Sequence, residues 1–370
     1  MRLLMGPGPS NPDPRVLAAM ARPMVGHLDP YFLQIMDDTM SMLRTVYRTE
    51  NHHTIPMSGT GTSGLETIML NLLEPGDEAV VGVIGYFGQR LHEMAERAGA
   101  TVRVIEEPFG GVIDPQRVAD EMAKRPAKLV ALVHAETSTG AAQPIPEVAA
   151  LARDHGALVA IDCVTSLAGM PVEIDAWGID AAGSCSQKCI GAPPGLGPVT
   201  FGPRAMEVIG SRTSKPFTWY LDLNLLFQYW GDSGAPKQRA FHHTAPVSSV
   251  YALHEALRLI LEEGLEARWE RHRQAHAVLV QGLERLGLSL FTPAAHRLPM
   301  LNVVNIPQGV NDAAVRSAML ERGIEIAGGF GPLKGKTWRV GLMGVNADPE
   351  RIETLLGALE EVLREQGFGG

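Results

Sequence analysis

The pattern of apolar positions divides the chain into two parts. Between residues 31 and 48, apolar side chains recur at helical spacing, which predicts a helix. After that, short runs that are apolar on both faces alternate with amphipathic stretches. The predicted strands are 79–84, 101–105, 129–134 and 158–161, and the predicted helices are the segment after Gly64, 89–98, 115–124 and 146–155. This alternation predicts an α/β fold with a mainly parallel sheet covered by helices.

The pattern changes after about residue 245. A helical stretch at 247–263 continues through Leu286, and shorter elements follow it. These are strands at 289–291 and 303–306, a helix at 312–321, a strand at 337–341 and a terminal helix at 349–366. Residues 6–14 are too rich in proline and glycine for regular structure and are expected to form an extended arm. We therefore expect an N-terminal arm (1–20), a large domain (21–247) and a smaller α+β domain (248–370).

Composition excludes several classes of function. The chain has 370 residues, 45% of them apolar and 20% charged, with a net charge of −9 and no basic patch that would suggest nucleic acid binding. No apolar run is long enough to span a membrane. The three cysteines, Cys163, Cys185 and Cys189, form neither a disulfide framework nor a zinc pair. We expect a soluble cytoplasmic protein without a metal.

Lys188 stands out because it lies among small residues that are followed by glycines and prolines. Residues 183–195 read GSCSQKCIGAPPG. Lysines are normally solvated, but one held among small residues before a proline pair can be partly desolvated. Desolvation lowers the pKa of an amine and makes it nucleophilic, which is what a Schiff-base lysine needs. The alternative is an ordinary loop lysine after a strand.

A glycine-rich segment, SGTGTSGL at 58–65, opens a predicted amphipathic helix. Free backbone N–H groups and the helix dipole favour an anion there. Gly59, Gly61 and Gly64 also match the GxGxxG pattern of dinucleotide-binding proteins. That interpretation fits poorly, because Pro56 interrupts the preceding stretch and no acid follows the next strand to hold a ribose. A single phosphate is the better expectation, with a simple capped helix as the alternative.

Further candidates follow or lie within predicted strands. Asp162 ends the strand 158–161, at the strand end where ligands bind in open α/β sheets, and could pair with a protonated ring nitrogen or cap a helix. Residues 134–140 (HAETSTG) offer hydroxyls to a ligand or form a polar turn. Phe87 can stack on a flat cofactor or pack in the core. Arg339 lies in an apolar strand, where its planar group suits either a substrate carboxylate or an internal salt bridge.

Taken together, these residues resemble the class V aminotransferases of the fold-type I pyridoxal-phosphate enzymes, and among them the alanine–glyoxylate / serine–pyruvate aminotransferase group. The resemblance runs nearly end to end. It is carried by GPGPS at 6–10, SGTG at 58–61, GQR at 88–90, STG at 138–140, SQK at 186–188, APPG at 192–195, KPF at 215–217, HHT at 242–244 and RVGL at 339–342.

The resemblance implies a role for each matching residue. Lys188 is similar to the lysine that forms a Schiff base with pyridoxal 5′-phosphate and then moves a proton between the substrate Cα and the cofactor. Asp162 is similar to the acid that keeps the ring nitrogen protonated, and Arg339 to the clamp on the substrate carboxylate. The other implied cofactor contacts are Thr60, Gly61, Thr62 and Gln187 at the phosphate, Phe87 and Val164 on the two ring faces, Thr137 near the ring oxygen, and Thr244 from the second subunit of a homodimer.

The chain departs from the family pattern at Phe241. Relatives commonly carry a tyrosine just before the HHT motif, and its hydroxyl reaches the phosphate across the dimer interface. A hydrogen bond to a charged group contributes ~1.5–3 kcal/mol, so its loss weakens phosphate binding without arguing against the cofactor. The segment 26–27 and the partner's loop 217–244 are expected to line the substrate pocket.

The resemblance therefore implies a homodimeric aminotransferase with active sites at the interface. It moves an amino group from alanine or serine to a small 2-oxo acid such as glyoxylate or pyruvate, by a ping-pong mechanism. Alternatives are another class V enzyme with a different amino donor or a desulfurase-type lyase, a nucleotide-binding dehydrogenase, and a scaffold protein that keeps the fold. Desulfuration needs a mobile cysteine late in the chain, whereas the last cysteine here is Cys189, beside the lysine.

Overall fold

A computed structural model of the chain describes residues 2–231 and 239–369. Its strands are β1 (Leu3–Leu4), β2 (His53–Ser58), β3 (Glu78–Val83), β4 (Thr101–Glu106), β5 (Leu129–Val133), β6 (Ala135–Glu136), β7 (Ala141–Ala142), β8 (Leu158–Asp162), β9 (Ala181–Gly183), β10 (Leu196–Phe201), β11 (Leu301–Asn305), β12 (Ile324–Glu325), β13 (Ala327–Gly328) and β14 (Thr337–Gly341). Its α-helices are α1 (Pro14–Met20), α2 (Pro30–Tyr47), α3 (Gly61–Leu72), α4 (Tyr86–Arg97), α5 (Pro115–Lys124), α6 (Pro146–Asp154), α7 (Pro203–Gly210), α8 (Leu223–Trp230), α9 (Val247–Glu263), α10 (Leu265–Arg285), α11 (Asp312–Glu321) and α12 (Pro349–Glu365).

Aspartate–proline pairs begin several of the helices. Asp13, Asp29, Asp114 and Asp348 are N-cap residues whose side chains accept a backbone N–H from the first turn, and proline follows each of them. Proline tolerates the first helical position because the N–H that it lacks has no intrahelical partner there. These starts are therefore encoded locally in the sequence.

The main sheet has the strand order β2-β10-β9-β8-β5-β3-β4. Strands β4, β3, β5, β8 and β9 are parallel to their neighbours in this series, whereas β10 is antiparallel to both β9 and β2. The predicted α/β fold with a mainly parallel sheet is confirmed. In the register, Val133 pairs with Asp162 and Asp162 with Gly183, so three adjacent strands end at one level.

Strand β2 was not predicted, because Pro56 lies in its middle. The strand lies at the edge of the sheet, where it pairs only with β10, and Pro56 is opposite Pro198 in that ladder. An edge position tolerates proline since the missing N–H leaves no inner partner unpaired. The expectation that the stretch before the glycine-rich loop is not a central strand agrees with the position of β2 at the sheet edge.

Two predicted elements in the C-terminal part were wrong. The long helical stretch is broken at Gly264, whose φ of 85° lies in the left-handed region, so α9 and α10 are separate helices. The expected strand at 289–291 contributes only an isolated bridge between Leu290 and Val304. Helix α1, which lies within the expected arm, was not predicted.

Two large hydrophobic cores organise the chain. The first surrounds the main sheet and includes Val250 and Leu253 of α9. The second is formed by α10, α11, α12, β11 and β14 and includes Met5 from the N-terminal arm. The expected boundaries of the arm and of the two domains stay a prediction. Among the described residues, no helix is long and apolar enough to cross a membrane.

The N-terminal arm joins the second core to the main sheet. Strand β1 pairs with β12, and the Gly341 N–H donates to the Met5 carbonyl at 2.8 Å. Further along the arm, the Ser10 hydroxyl donates to the Lys188 carbonyl at 2.8 Å. The arm thus crosses from the C-terminal elements to the segment that follows β9.

Gly341 and Gly357 provide a matched pair of stability predictions. A Cβ at Gly341 would lie 2.0 Å from the Gly6 carbonyl oxygen, so Gly341→Ala forces the arm away and should destabilise the fold by about 1–3 kcal/mol. A Cβ at Gly357, on the exposed face of α12, meets nothing within 4 Å, and Gly357→Ala should stabilise by about 1 kcal/mol. Chemical denaturation monitored by circular dichroism measures both. Equal effects of the two substitutions would contradict the packing of the arm.

Candidate active site

Loops at the carboxyl ends of the parallel strands converge on one cavity. It has a volume of about 300 Å³. Its lining comprises Thr60, Gly61, Thr62, Phe87, Arg90, Ala135, Thr137, Asp162, Val164, Thr165, Gln187 and Lys188. Nine of the residues expected from the sequence to contact a cofactor are in this set. The structure therefore brings together the glycine-rich loop, the acid and the lysine.

Lys188 is partly buried and covered by the N-terminal arm. A Cβ placed on Gly8 would lie 2.8 Å from the lysine Cδ and 3.6 Å from its Nζ, so only a glycine allows the arm to pass this close. Gly8 also has a φ of 111°, a conformation that side chains disfavour. Burial lowers the pKa of the Lys188 amine, while the negative charge of Asp162 opposes that shift. Desolvation thus favours the nucleophilic form of the amine.

Asp162 is a buried carboxylate at the end of β8. Its exposed fraction is 4%, and its Oδ1 accepts the Val164 N–H at 2.8 Å. Burial raises the pKa of this carboxyl group, while the charge of Arg90, the Val164 N–H and the charge of Lys188 lower it. A carboxylate in such surroundings is suited to a cationic partner inside the cavity.

The N-terminus of α3 supplies the anion-binding end of the cavity. Thr60 is the N-cap and makes no side-chain capping bond, and the N–H groups of Gly61 and Thr62 precede the first intrahelical bond. A Cβ on Gly61 would lie 2.7 Å from Cys185 Cβ, so the glycine permits close packing against the segment before Lys188. Free N–H groups and the positive end of the dipole favour a phosphate here.

Arg90 is a cavity residue to which the sequence analysis gave no role. Its Nη1 donates to the Thr62 hydroxyl at 3.2 Å, and its guanidinium lies 4.6 Å from the centroid of the Phe87 ring. Its Nε is buried without a hydrogen-bond partner in the described part of the chain. In the sequence, only the GQR motif at 88–90 pointed to Arg90. Its position in the cavity depends on how α4 packs, which the local sequence does not reveal.

Arg339 lies on β14 beside the cavity rather than in its lining. Its exposed fraction is 6%, its Nε donates to the Gly328 carbonyl at 2.8 Å, and its guanidinium lies 4.2 Å from the centroid of the Phe330 ring. Burial lowers its pKa to about 10, and the charge of Glu136 opposes this. The described residues place no carboxylate within ion-pair distance of Arg339. The internal salt bridge considered as an alternative is therefore not formed among them.

Thr244 and Phe241 lie away from the cavity of their own chain. Thr244 is exposed and lines a separate cavity with Ser58 and Gly59. Phe241 has an exposed fraction of 62%, and His243 Nε2 lies 2.6 Å from Ser58 Oγ. The expected contact of Thr244 with a partner's cofactor stays a prediction. The expected pocket loop at 217–244 includes residues 232–238, which lie outside the described residues.

Larger cavities elsewhere lack this chemistry. One of about 670 Å³ lies beside Asp180, whose carboxylate pairs with Arg204 at 3.1 Å and Arg153 at 3.4 Å. Another of about 500 Å³ includes Glu263, which pairs with Arg268. Each of these two carboxylates therefore already has an arginine partner. In residues 2–231 and 239–369, no group of histidine, cysteine and acidic side chains is arranged to hold a metal ion.

Comparison with known proteins decides the family. The family Aminotransferase class-V matches residues 9–345. The chain belongs to the class-V aminotransferases. It is 40% identical to (S)-ureidoglycine–glyoxylate transaminase of Bacillus subtilis over 100% of this chain and 92% of the relative, and 42% identical to alanine–glyoxylate aminotransferase of Callithrix jacchus over 98% and 88%. A crystal structure of alanine–glyoxylate aminotransferase from Nostoc sp. superposes with a TM-score of 0.95 at 51% identity, covering 98% of this chain and 95% of that chain.

This class-V aminotransferase has the PLP-dependent fold type I, and its cofactor is pyridoxal 5′-phosphate. The cavity fits that molecule. It offers a helix N-terminus to the phosphate, an aromatic ring to a flat heterocycle, a buried acid to the ring nitrogen and an amine to the aldehyde. Gln187 Oε1 is buried without a hydrogen-bond partner in the described part of the chain, which leaves it available to a ligand.

Lys188→Ala is expected to abolish covalent attachment of the cofactor in this class-V aminotransferase. Sodium borohydride treatment of the holoenzyme, followed by peptide mass spectrometry, should place the reduced cofactor on Lys188 and find none in the variant. Lys128→Ala is the control, because that Nζ pairs with Asp77 at 2.6 Å at the opposite end of the sheet. A label on any other lysine of the wild-type protein would contradict the assignment.

Proposed function

We propose that this enzyme transfers the amino group of L-alanine or L-serine to glyoxylate or pyruvate in two half-reactions. The observation that carries the proposal is Arg339. It is a buried guanidinium beside the cofactor cavity, its charge acts on Lys188, and it has no carboxylate partner among the described residues. An arginine that is free of carboxylate partners among the described residues suits a substrate carboxylate, as in alanine, serine, pyruvate or glyoxylate.

Arg339 orients the substrate through the planar geometry of its guanidinium. The Gly328 carbonyl and the Phe330 ring hold the group from two sides, which leaves its terminal nitrogens for a bidentate bond to the carboxylate. The Tyr86 ring stacks on the Phe330 ring, with 4.9 Å between the two ring centroids.

Lys188 and Asp162 carry the proton chemistry. When bound, pyridoxal phosphate supplies an electron sink that acidifies the α-proton of the amino acid. The Nζ of Lys188, with its pKa lowered by burial, is suited to take that proton and return it. Asp162 keeps the proton on the ring nitrogen, because its buried carboxylate is stabilised by a cationic partner.

The relatives support the acceptor more firmly than the donor. Glyoxylate appears in the names of both the Bacillus subtilis and the Callithrix jacchus relatives, whereas their donors are ureidoglycine and alanine. Glyoxylate is therefore the acceptor that we favour, and (S)-ureidoglycine is the principal alternative donor. A desulfurase-type reaction is disfavoured because Cys163, Cys185 and Cys189 are all buried.

The proposal includes a homodimer whose active sites lie at the interface. Large apolar side chains are exposed in one segment, with exposed fractions of 72% for Phe217 and 62% for both Trp219 and Phe241. Thr244, at the end of the same segment, is exposed outside its own cavity. Burial of these aromatics against a second subunit would bring Thr244 towards the partner's cofactor. The three free cysteines support a reducing, cytoplasmic location.

The function is tested by incubating the purified holoenzyme with L-alanine and glyoxylate and measuring pyruvate and glycine. Equal amounts of both products and parallel initial-rate plots are expected from two half-reactions. In the same assay, Arg339→Gln should raise KM for alanine roughly 10–200-fold, because a charge-assisted bond to the carboxylate is lost. Arg316→Gln, which removes an arginine paired with Asp312, is the control.

Absence of pyruvate from the wild-type protein, with activity on serine or (S)-ureidoglycine instead, would reassign the donor. An unchanged KM in the folded Arg339→Gln variant would remove the arginine from the substrate site. Thermal unfolding of each variant separates loss of the substrate contact from loss of the fold.

Phe241→Tyr is expected to tighten cofactor binding. The added hydroxyl would donate to the phosphate across the proposed interface, and the dissociation constant of pyridoxal phosphate should fall by about tenfold or more. Phe217→Tyr, which adds a hydroxyl to another exposed aromatic, is the control. Fluorescence titration of the cofactor-depleted protein measures the constant. Equal behaviour of the two variants would argue against a partner's phosphate near residue 241.

A further inference from the structure

Glu136 is a buried acid whose purpose the transfer of an amino group does not explain. It ends β6, and its exposed fraction is 0%. Its neighbours Ala135 and Thr137 line the cofactor cavity, whereas Glu136 itself does not. Among the described residues, no lysine, arginine or histidine lies within ion-pair distance of its carboxylate. The charge of Arg339 interacts with Glu136 only from beyond ion-pair distance, so this buried carboxylate needs a further source of stabilisation.

That stabilisation comes from the first turn of α4 and from Ser138. Glu136 Oε2 accepts the N–H groups of Phe87 at 3.0 Å and Gly88 at 3.2 Å. Its Oε1 accepts the Ser138 N–H at 3.0 Å and the Ser138 hydroxyl at 2.6 Å. The Ser138 hydroxyl oxygen in turn accepts the Tyr86 N–H at 2.9 Å. The unpaired N–H groups at the start of the helix are thus satisfied by residues 136–138, and the helix dipole favours the negative charge.

The start of α4 packs closely against residues 136–138. A Cβ on Gly85 would lie 2.6 Å from both Cγ and Cδ of Glu136 and 2.5 Å from Ser138 Oγ. A Cβ on Gly88 would lie 2.9 Å from Val83 Cα. The first turn of α4 is therefore pressed against both the end of β3 and the Glu136 side chain. Its backbone can shift only if the carboxylate shifts too.

Phe87 lies within this fixed turn, and its ring lines the cavity with Asp162 and Lys188. The backbone N–H of Phe87 is one of the groups that Glu136 holds. We propose that Glu136 is a positioning residue that fixes the Phe87 ring against the cofactor by joining the start of α4 to the loop after β5. It touches neither cofactor nor substrate, and it acts through Phe87.

This inference rests on the proposed function only for the position of the cofactor in this cavity, and not for the substrates. Glu136→Gln is the informative change, because an amide of the same shape has one acceptor oxygen for two sets of donors. At least one buried N–H then loses its partner, and the turn that carries Phe87 relaxes. The dissociation constant of pyridoxal phosphate should rise about tenfold, and the circular dichroism of the bound cofactor in the visible range should weaken.

A double-mutant cycle on the dissociation constant decides whether Glu136 acts through Phe87. In a Phe87→Leu background, Glu136→Gln should change the constant less than about twofold, because the ring that it positions is gone. In a Thr137→Ala background, the full effect should remain. Glu93→Gln, an exposed acid on the same helix, should change nothing. Should Glu136→Gln fail to fold, Ser138→Ala removes one donor to the carboxylate and replaces it in the cycle.

Additive effects of Glu136→Gln and Phe87→Leu would overturn the proposal, as would coupling to Thr137 in place of Phe87. A folded Glu136→Gln protein with wild-type affinity and spectrum would overturn it too. Titration of cofactor-depleted protein needs no amino substrate. Wild-type protein that binds the cofactor but transaminates neither alanine nor serine would therefore refute the proposed function and leave this test intact.

Discussion

The parallel register of the central strands is the constraint on which the site depends. Strands β3, β5, β8 and β9 run in one direction, so the residues that follow them all emerge at the same edge of the sheet. Phe87, Thr137, Asp162 and Lys188 reach one cavity for this reason, although about a hundred residues of chain separate the first from the last. A strand of opposite direction at β8 would place Asp162 on the far side of the molecule.

Burial shifts the pKa values of Asp162 and Lys188 in opposite directions, and a bound cofactor suits both groups. Burial raises the pKa of Asp162 and lowers that of Lys188, so each is drawn towards its neutral form. A protonated heterocycle bound here would give the acid a cationic partner, and the neutral amine would be suited to an aldehyde. The same low-polarity surroundings keep Arg339 receptive to a carboxylate, because Gly328 and Phe330 hold it without neutralising it.

Much of the fold and the position of the cavity could be predicted because they depend on local signals. Lys188 and Asp162 follow short apolar strands, and the glycine-rich loop precedes a regular amphipathic helix. The roles of Glu136 and Arg90 could not be predicted in this way, since their contacts join loops that are distant in sequence. The break at Gly264 was missed because the apolar periodicity continues through it, and β2 because Pro56 was interpreted as an interruption, which this edge strand tolerates.

The N-terminal arm has a mechanical consequence. It is anchored at one end to β12 and Gly341 in the second core, and at the other end it presses Gly8 and Ser10 against Lys188. A rotation of the C-terminal elements relative to the main sheet would displace the N-terminal arm relative to Lys188. The surroundings of the amine are thereby tied to the part of the chain that carries Arg339.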